Sequence, residues 1–265
     1  MALVVKPSCS VEVSVPASGL RVVPSCADIP GPPFSDTATL FWWPFEEASD
    51  APRVDAVHTV PLAVDDGLFN LQAAAKVGNG VSFTPNPNQY IIMQSAITEA
   101  LAYAGGGFDA MFWLKINTYG ASSQVLVPRF RFYDADENQL SGFTFDAFNA
   151  GVASIFSSNN GESVGLASPT VPEIGVWYCF RVFYDDSDKK VGIQVNNGSV
   201  TKSDDAYVAA MPVAAKGQCG VWHLGSGGGS LDDFIVDELV CRIGSLFTPA
   251  EIISYFNSGS GRTYP

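Results

Sequence analysis

Basic residues are scarce in this chain. Its 265 residues include 14 lysines and arginines against 27 aspartates and glutamates, which gives a formal net charge of −13 at pH 7. We do not expect a nucleic-acid partner, because phosphate groups are neutralised by lysine and arginine. Anionic membrane surfaces are disfavoured for the same reason. The acidic balance is compatible with calcium binding and with an assembly kept soluble by self-repulsion.

Long apolar runs are also missing. No run approaches the ~18 residues that a membrane-spanning helix needs, so membrane insertion is not expected. The first residues, MALVVKPSCS, hold one four-residue apolar run, which is too short for a secretory signal. We therefore expect synthesis in the cytosol, and any display outside a cell would come by a route other than secretion.

Cysteine is sparse and its spacing is uninformative. The count is odd and no Cys-x-x-Cys pair occurs, so neither a disulfide framework nor a zinc site is indicated. We expect free buried thiols. The five positions are Cys9, Cys26, Cys179, Cys219 and Cys241.

What the chain does contain is β structure. Hydrophobic residues make up 47% and aromatic residues 12%, which is too apolar for a disordered chain. About a dozen short strand-like segments follow one another from Thr39, and this spacing predicts an all-β, two-sheet antiparallel jelly-roll sandwich. The clearest segments are 39–46, 108–117, 124–148, 175–203, 217–224 and 231–243.

One short C-terminal helix interrupts the strands. Thr248 is suited to the N-cap, Pro249 to the first helical position and Glu251 to the third, which together form a capping box. Asn257 or Gly259 is expected to end the helix.

The first 36 residues differ from the rest. Segments 11–15 and 20–23 are predicted to pair as a hairpin, and three prolines between 30 and 33 favour an extended connector. We therefore predict an N-terminal arm and linker at 1–36 and one jelly-roll domain at 37–265.

Five segments in this order resemble laminin G-like domains of the concanavalin A-like lectin/glucanase superfamily, in their bacterial and phage form. The resemblance covers about 40–265 and implies a jelly roll of two packed antiparallel sheets. It implies functions that range over glycan binding, protein binding and virion or cell-surface structure. The segments are FWWPFEEASD (41–50), VSFTPNPNQYIIM (81–93), FDAMFWLKIN (108–117), VWYCFRVFYDDSDKKVGIQVNNG (176–198) and VDELVCRIGSLFTPAEIISYFNSGSGRTYP (236–265).

A carboxylate in the last predicted strand stands out. Strand alternation places Asp237 on the apolar face with Ile235, Leu239, Cys241 and Ile243. An ionised carboxylate on a buried face is costly unless it is paired or binds a metal. The next residue, Glu238, is expected on the opposite face, where it can pair with an arginine.

The resemblance suggests what Asp237 does. Related laminarinase-type enzymes carry an aspartate in a similar place as a ligand of structural calcium (Ca²⁺), and Glu46 is the matching second ligand here, with Glu47 as a substitute. Calcium takes six to eight oxygens, so carbonyls and water would complete the site. The alternative is that Asp237 only accepts hydrogen bonds from nearby backbone N–H groups and fixes a turn.

Catalytic motifs are not found. Glycosidases of this superfamily need two carboxylates on one strand face, in a Glu-x-Asp-x-x-Glu strand that this chain lacks. The G-x-S-x-G sequence at 161–165 lacks the preceding strand and following helix of a nucleophile elbow. We therefore expect no enzymatic activity.

Two tryptophans are adjacent in the first strand of the domain. Trp42 and Trp43 must face opposite sides, so one of them is expected to be exposed or covered by the arm.

The favoured hypothesis is a non-catalytic structural or binding module displayed on an assembled particle, most plausibly a phage virion decoration or fibre-type protein. Its partners would be a neighbouring virion or surface protein, bound through residues 1–36, and a surface glycan. We expect a homo-oligomer at the virion surface. The alternatives are a carbohydrate-binding module of a bacterial surface protein and, less favoured, a glycoside-active enzyme.

Overall fold

The structure is a computed structural model that divides into two units, residues 1–33 with Pro265, and Phe34–Tyr264. Each unit is described by itself. The predicted boundary between an arm at 1–36 and a domain at 37–265 stays a prediction. The residues described are 10–14, 21–25, 34, 39–48, 51–65, 71–83, 91–118, 124–146, 152–157, 162–207, 211–224 and 233–261.

In the first unit, the described residues form one hairpin. Strands β1 (Ser10–Ser14) and β2 (Arg21–Ser25) pair antiparallel, so that Ser14 lies opposite Arg21. The hairpin predicted across residues 16–19 is confirmed, although the turn itself lies outside the described residues.

The second unit is a sandwich of two antiparallel sheets, as predicted. Sheet I has the order β16-β15-β14-β9-β18-β7-β6, with β3 also paired to β18. Its strands are β3 (Leu40–Trp43), β6 (Leu71–Ala74), β7 (Asn79–Phe83), β9 (Phe108–Thr118), β14 (Trp177–Asp185), β15 (Lys190–Val195), β16 (Thr201–Lys202) and β18 (Asp233–Ile243).

Sheet II has the order β13-β12-β11-β10-β17-β8-β5-β4. Some neighbouring strands of this sheet, such as β10 and β11, are consecutive in the sequence. Others, such as β10 and β17, are far apart in the sequence. Its strands are β4 (Arg53–Val54), β5 (Pro61–Asp65), β8 (Ile91–Gln94), β10 (Gln124–Tyr133), β11 (Gln139–Asp146), β12 (Val152–Ser157), β13 (Ser163–Ala167) and β17 (Lys216–Leu224).

The main core lies between the sheets and is rich in aromatic rings. Alternation sends Phe130 and Phe132 of β10, and Phe180 and Val182 of β14, into it. Ring pairs such as Phe108 and Phe130, with centroids 4.3 Å apart, link the two sheets. Such pairs add about 0.5–1.5 kcal/mol each beyond the burial of apolar area.

Helix α1 (Pro249–Phe256) covers the outer face of sheet I and creates a second, smaller core. The predicted capping box is confirmed, with Thr248 Oγ1 accepting from the N–H of Glu251 at 3.3 Å. Asn257 ends the helix in a left-handed conformation. Short 3-10 turns occupy Glu99–Leu101 and Asn257–Gly259.

Both adjacent tryptophans are buried, and the helix explains why. Trp43 points into the main core, and Trp42 points outward into the smaller core beside Tyr255. Phe34, which the sequence assigned to the arm, also packs on Trp42, with ring centroids 5.5 Å apart. Of the two outcomes expected for one tryptophan, exposure is wrong, because α1 covers the outer face, whereas cover by the arm is confirmed in part, because Phe34 lies within the predicted arm.

The expectation of free buried thiols is confirmed for the three described cysteines, and the turn of one hairpin is fixed by a hydrogen bond. The β10–β11 hairpin turns at Asp134–Asn138, where Asp134 Oδ1 accepts from the N–H of Asn138 at 2.8 Å. Cys179, Cys219 and Cys241 are free and buried; Cys9 and Cys26 lie outside the described residues. In the part of the chain that the structure describes, helices long and apolar enough to cross a membrane do not occur.

Candidate functional site

Strand β18 contains a β-bulge that changes which face its acidic residues occupy. Asp237 pairs with Trp113 of β9 and Val240 with Met111, so two residues of β18, Glu238 and Leu239, lie opposite one residue of β9. Glu238 takes a left-handed φ of 49°. Because the extra residue shifts the alternation by one, the predicted grouping of Asp237 with Leu239 is wrong.

Asp237 therefore faces outward, beneath the turn that joins β6 to β7. Its side chain is fully buried, and Oδ2 accepts a hydrogen bond from the N–H of Val77 at 2.8 Å. Oδ1 meets no hydrogen-bond donor among the described residues. Burial raises the pKa of Asp237 to about 8; the Val77 bond opposes the shift and the negative charge of Glu46 adds to it. Neutral pH thus leaves this carboxyl largely protonated.

Glu238 lies beside Asp237 instead of on the opposite face. Its Oε2 accepts from the indole N–H of Trp42, and its Oε1 has no partner among the described residues. Burial and the neighbouring Asp237 raise the pKa of Glu238 to about 9. The expected pairing with an arginine is wrong, because Trp42 is its partner.

Glu46 reaches the same turn from the other side. Its Oε2 accepts from the backbone and side-chain nitrogens of Asn79 at 3.0 and 3.1 Å. Gly78 has a left-handed φ of 57°, which favours glycine, and a Cβ there would lie 2.0 Å from Glu46 Oε1, so a side chain at 78 would displace the carboxylate. Glu47 is engaged elsewhere: it accepts from the N–H of Val54 and lies 3.9 Å from Arg53.

The predicted calcium ligands Glu46 and Asp237 thus contact one turn, with Glu238 as an addition that the sequence did not suggest. Two buried carboxylate oxygens without donors are the groups that a cation would satisfy. Within the described residues, no three His, Cys, Asp or Glu side chains converge as a metal cluster. A cation here would therefore need backbone carbonyls and water as further ligands.

A second candidate site lies on the outer face of sheet II. It is a small, shallow groove over the central strands β8, β17 and β10. We call it the sheet II groove. Its lining consists of Met93, Gln94, Arg129, Arg131, Gln218, Cys219, Gly220 and Val221.

Strand register builds this groove. Phe130 and Phe132 point into the core. Because side chains alternate along a strand, Arg129 and Arg131 point outward. Gly220 lies opposite Gln94 on one side and opposite Arg129 on the other. Gly220 projects no side chain between Gln94 and Arg129, so the backbone of β17 forms the floor of the groove.

The polar groups in the groove are held in place by neighbours. Gln218 Oε1 accepts from the hydroxyl of Tyr133 at 3.1 Å, and Gln218 Nε2 donates to the carbonyl of Ser95 at 3.1 Å. Both bonds fix the amide in one orientation. Glycine is required at 220, because a Cβ there would lie 2.7 Å from the carbonyl oxygen of Met93.

Electrostatically, the sheet II groove is unlike the protein as a whole. Its lining contains two arginines and no carboxylate, although the chain has nearly twice as many acidic as basic residues. The buried carboxylates Asp237 and Glu238 belong to sheet I, on the opposite side of the sandwich. No pair of carboxylates therefore faces a ligand in this groove in the way that glycoside hydrolysis requires.

Sequence reasoning missed this groove entirely. The alternation of RFRFY at 129–133 was a usable signal, since it presents two arginines on one strand face. What the sequence did not supply was the pairing of β10 with β17, about 90 residues later. The G-x-S-x-G serine, Ser163, lies inside strand β13 instead of at a strand-to-helix turn.

The described strands define a two-sheet antiparallel β-sandwich. Neither a protein-family model nor a curated protein matches this chain. Solved structures do match. The binding domain of Paraclostridial Mosquitocidal Protein 1 aligns with a TM-score of 0.58 and 12% identity, over 84% of this chain and 53% of that one.

Botulinum neurotoxins are similar to the same extent. One is a structure of botulinum neurotoxin type C, whose cell entry depends on interaction with two ganglioside molecules. It aligns with a TM-score of 0.57 and 10% identity, over 84% of this chain and 51% of that one. A serotype D ligand-binding domain in complex with N-acetylneuraminic acid aligns at 0.54 and 10%, over 84% and 52%.

These likenesses establish the fold. The chain spans about half the length of the structures it matches. The ligands of those longer proteins are therefore not assigned to this chain by the likeness. The mosquitocidal protein structure and the serotype D structure are both binding domains. The laminin G-like assignment stays a prediction.

Proposed function

We propose that this protein is a non-catalytic glycan-binding module, and that the sheet II groove is its binding site. The observation that carries the proposal is the groove itself, which presents Arg129, Arg131, Gln94 and Gln218 around Gly220 on one face of sheet II. Binding sites on strands hold their groups more firmly than sites on loops.

The chemistry of these side chains suits a sugar. Guanidinium and amide groups are planar, and each offers several fixed donors to hydroxyl oxygens. The orientation of Gln218, held by Tyr133 and Ser95, reduces the entropy lost when a ligand binds. Support also comes from the similar solved structures. The serotype D domain is in complex with N-acetylneuraminic acid, and type C interacts with two ganglioside molecules.

Filling the groove tests this proposal. The variant Gln94→Trp places an indole beside Gly220 without changing the charge, and tryptophan is tolerated in strands. The control is Thr201→Trp, on β16 at the far edge of sheet I. On a glycan array, Q94W should lose the signals of the parent protein and T201W should keep them. Equal loss or retention in both variants contradicts the proposal, as does a parent protein that binds no glycan.

Calcium at the Asp237 turn is a further part of the proposal. Asp237 and Glu238 would hold the cation directly, and Glu46 would neutralise it from the exposed side of the turn. Its role would be structural: it would tie β18 to the β6–β7 turn and remove the repulsion between the buried carboxylates. The binding groove lies on the other sheet and needs no metal for the contacts described.

Display on an assembled particle, such as a phage virion, is the setting we favour. The β1–β2 hairpin supports it, because it belongs to a unit apart from the sandwich and offers strand edges for docking on a neighbouring protein. Removal of residues 1–33 should prevent incorporation into purified particles while glycan binding by the sandwich survives. Normal incorporation of the shortened protein would contradict this setting.

We also expect the displayed protein to be a homo-oligomer. Native mass measurement of the same particles would check this.

A further inference from the structure

We propose that the sheet II groove recognises glycans that carry a carboxylate, such as a uronic or sialic acid residue. This inference rests on the proposed glycan-binding function and specifies its ligand class. It comes from the charge and spacing of the groove residues, which distinguish an acidic sugar from a neutral one.

Two guanidinium groups stand on the same face of one strand. Arg129 and Arg131 are separated by one residue of β10, so their Cα atoms lie about 7 Å apart. That distance lets one arginine bind a carboxylate while the other reaches hydroxyls of the same ring or of the next sugar. Arginine is the side chain best matched to a carboxylate, because its parallel N–H groups contact both oxygens.

The surrounding rows strengthen this positive face. Tyr133, the next outward residue of β10, lies opposite Lys216 of β17. Three of the chain's 14 basic residues thus follow one another on the outer face of two paired strands. Arg129 and Arg131 line the groove itself, whereas Lys216 lies outside it and pairs with Glu137 at 2.8 Å.

The residues opposite the two arginines add no charge and no bulk. Gly142 of β11 lies opposite Arg131, and Gly220 of β17 lies opposite Arg129. Each arginine therefore borders a position from which no side chain projects. Gln218, beside Arg131, adds an amide for ring hydroxyls. A flat lysine-rich surface would instead bind polyanions of any kind.

Matched ligands provide the test. Oligogalacturonates and their methyl esters differ only in the charge of the carboxyl group, and a glycan array extends the comparison to sialylated, sulfated and neutral partners. By calorimetry at fixed salt, we expect the free acid to bind at least about 10-fold more tightly than the ester. The variants R129Q and R131Q should each reduce that preference by about 10-fold or more.

The control is Lys115→Gln, which removes the same charge from β9 in sheet I. It should leave both affinities unchanged, which separates a local contact from the effect of net charge. Equal affinity for acid and ester, with binding still blocked by Q94W, overturns the carboxylate inference and keeps the glycan function. A preference for sulfated over carboxylated glycans also overturns it. A protein that binds nothing on the array overturns both.

Discussion

At the scale of single residues, the adjacent carboxyls Asp237 and Glu238 dominate. Their pKa values of about 8 and about 9 lie well above the ordinary values of 3.8 and 4.5. The folded protein therefore binds more protons than the unfolded chain between about pH 4 and pH 9. Without calcium, the contribution of these two carboxyls to the free energy of unfolding should be fully present below about pH 4. It should be lost as the pH rises through their folded pKa values.

This sign leads to a first prediction. In the presence of a chelator, the melting temperature of the parent protein should fall steadily from pH 5 to pH 9. The double variant Asp237→Asn, Glu238→Gln keeps the side-chain shapes and cannot ionise, so its decline should be shallower. Buried Asp55 and Asp109, whose pKa values are also raised, would maintain part of the slope. A variant that melts with the parent's pH profile would refute the assignment.

Asp204→Asn is the control, since this aspartate is exposed and lies in a loop. It should follow the parent profile. Added calcium should reverse the trend for the parent alone, because cation binding requires the ionised carboxylates and strengthens as the pH rises.

Two glycines permit a second prediction, about calcium. Gly78 and Gly175 both have left-handed φ values, 57° and 78°, so alanine at either should cost about 1–2 kcal/mol in backbone strain. Only at 78 does the new Cβ collide with Glu46; at 175 nothing lies within 4 Å. Calorimetric titration should therefore show calcium binding weakened about 10-fold or more in G78A and unchanged in G175A. Equal calcium affinity in both variants would exclude Glu46 from the site.

At the scale of elements, strand β18 shows both the strength and the limit of sequence patterns. Its length, its alternation and the helix that follows were all predictable, because each depends on neighbours in the chain. The bulge at Glu238 was not, since no glycine marks it and its cause is the set of tertiary contacts from Trp42 and Tyr255. One residue of slip moved Asp237 away from Leu239 and Cys241 to the other face.

Helix α1 is held to sheet I by a buried ion pair, which gives a third prediction. Arg242 donates to both oxygens of Glu251 at 2.9 and 3.0 Å, and their side chains are 3% and 5% exposed. Glu251→Gln retains an oxygen for the capping box but removes the carboxylate that Arg242 contacts directly, so that Asp109, already bound to Arg181, is the remaining nearby negative charge. The free energy of unfolding should fall by about 3–5 kcal/mol.

The comparison variant is Thr248→Ala, which removes the N-cap but leaves the ion pair intact. It should cost about 1 kcal/mol. Urea denaturation of the two variants therefore separates the cap from the pair. If E251Q lost no more than T248A, the pair would not be what anchors the helix.

At the scale of the whole molecule, the sequence predicted the class of fold but not the positions that meet. Alternating segments and turn residues were sufficient for an antiparallel sandwich with one C-terminal helix. The candidate groove depends on β8, β10 and β17, whose mutual pairing spans most of the chain. Glu46 and Asp237 were brought to the same turn as the resemblance implied, whereas Arg129 and Arg131 entered only through register.

The limit of the sandwich gives the last prediction. Phe34 is 4% exposed and packs on Trp42 and Phe247, with ring centroids 5.5 and 5.0 Å away, so it belongs energetically to the helix-covered core. The 37–265 protein should be less stable than the 34–265 protein by about 3–5 kcal/mol, as loss of a buried phenylalanine predicts. Introducing Phe34→Ala into the 34–265 protein controls for the other two residues and should reproduce that loss in urea denaturation. Equal stability of the 34–265 and 37–265 proteins would show instead that the sandwich begins after the arm predicted from the sequence.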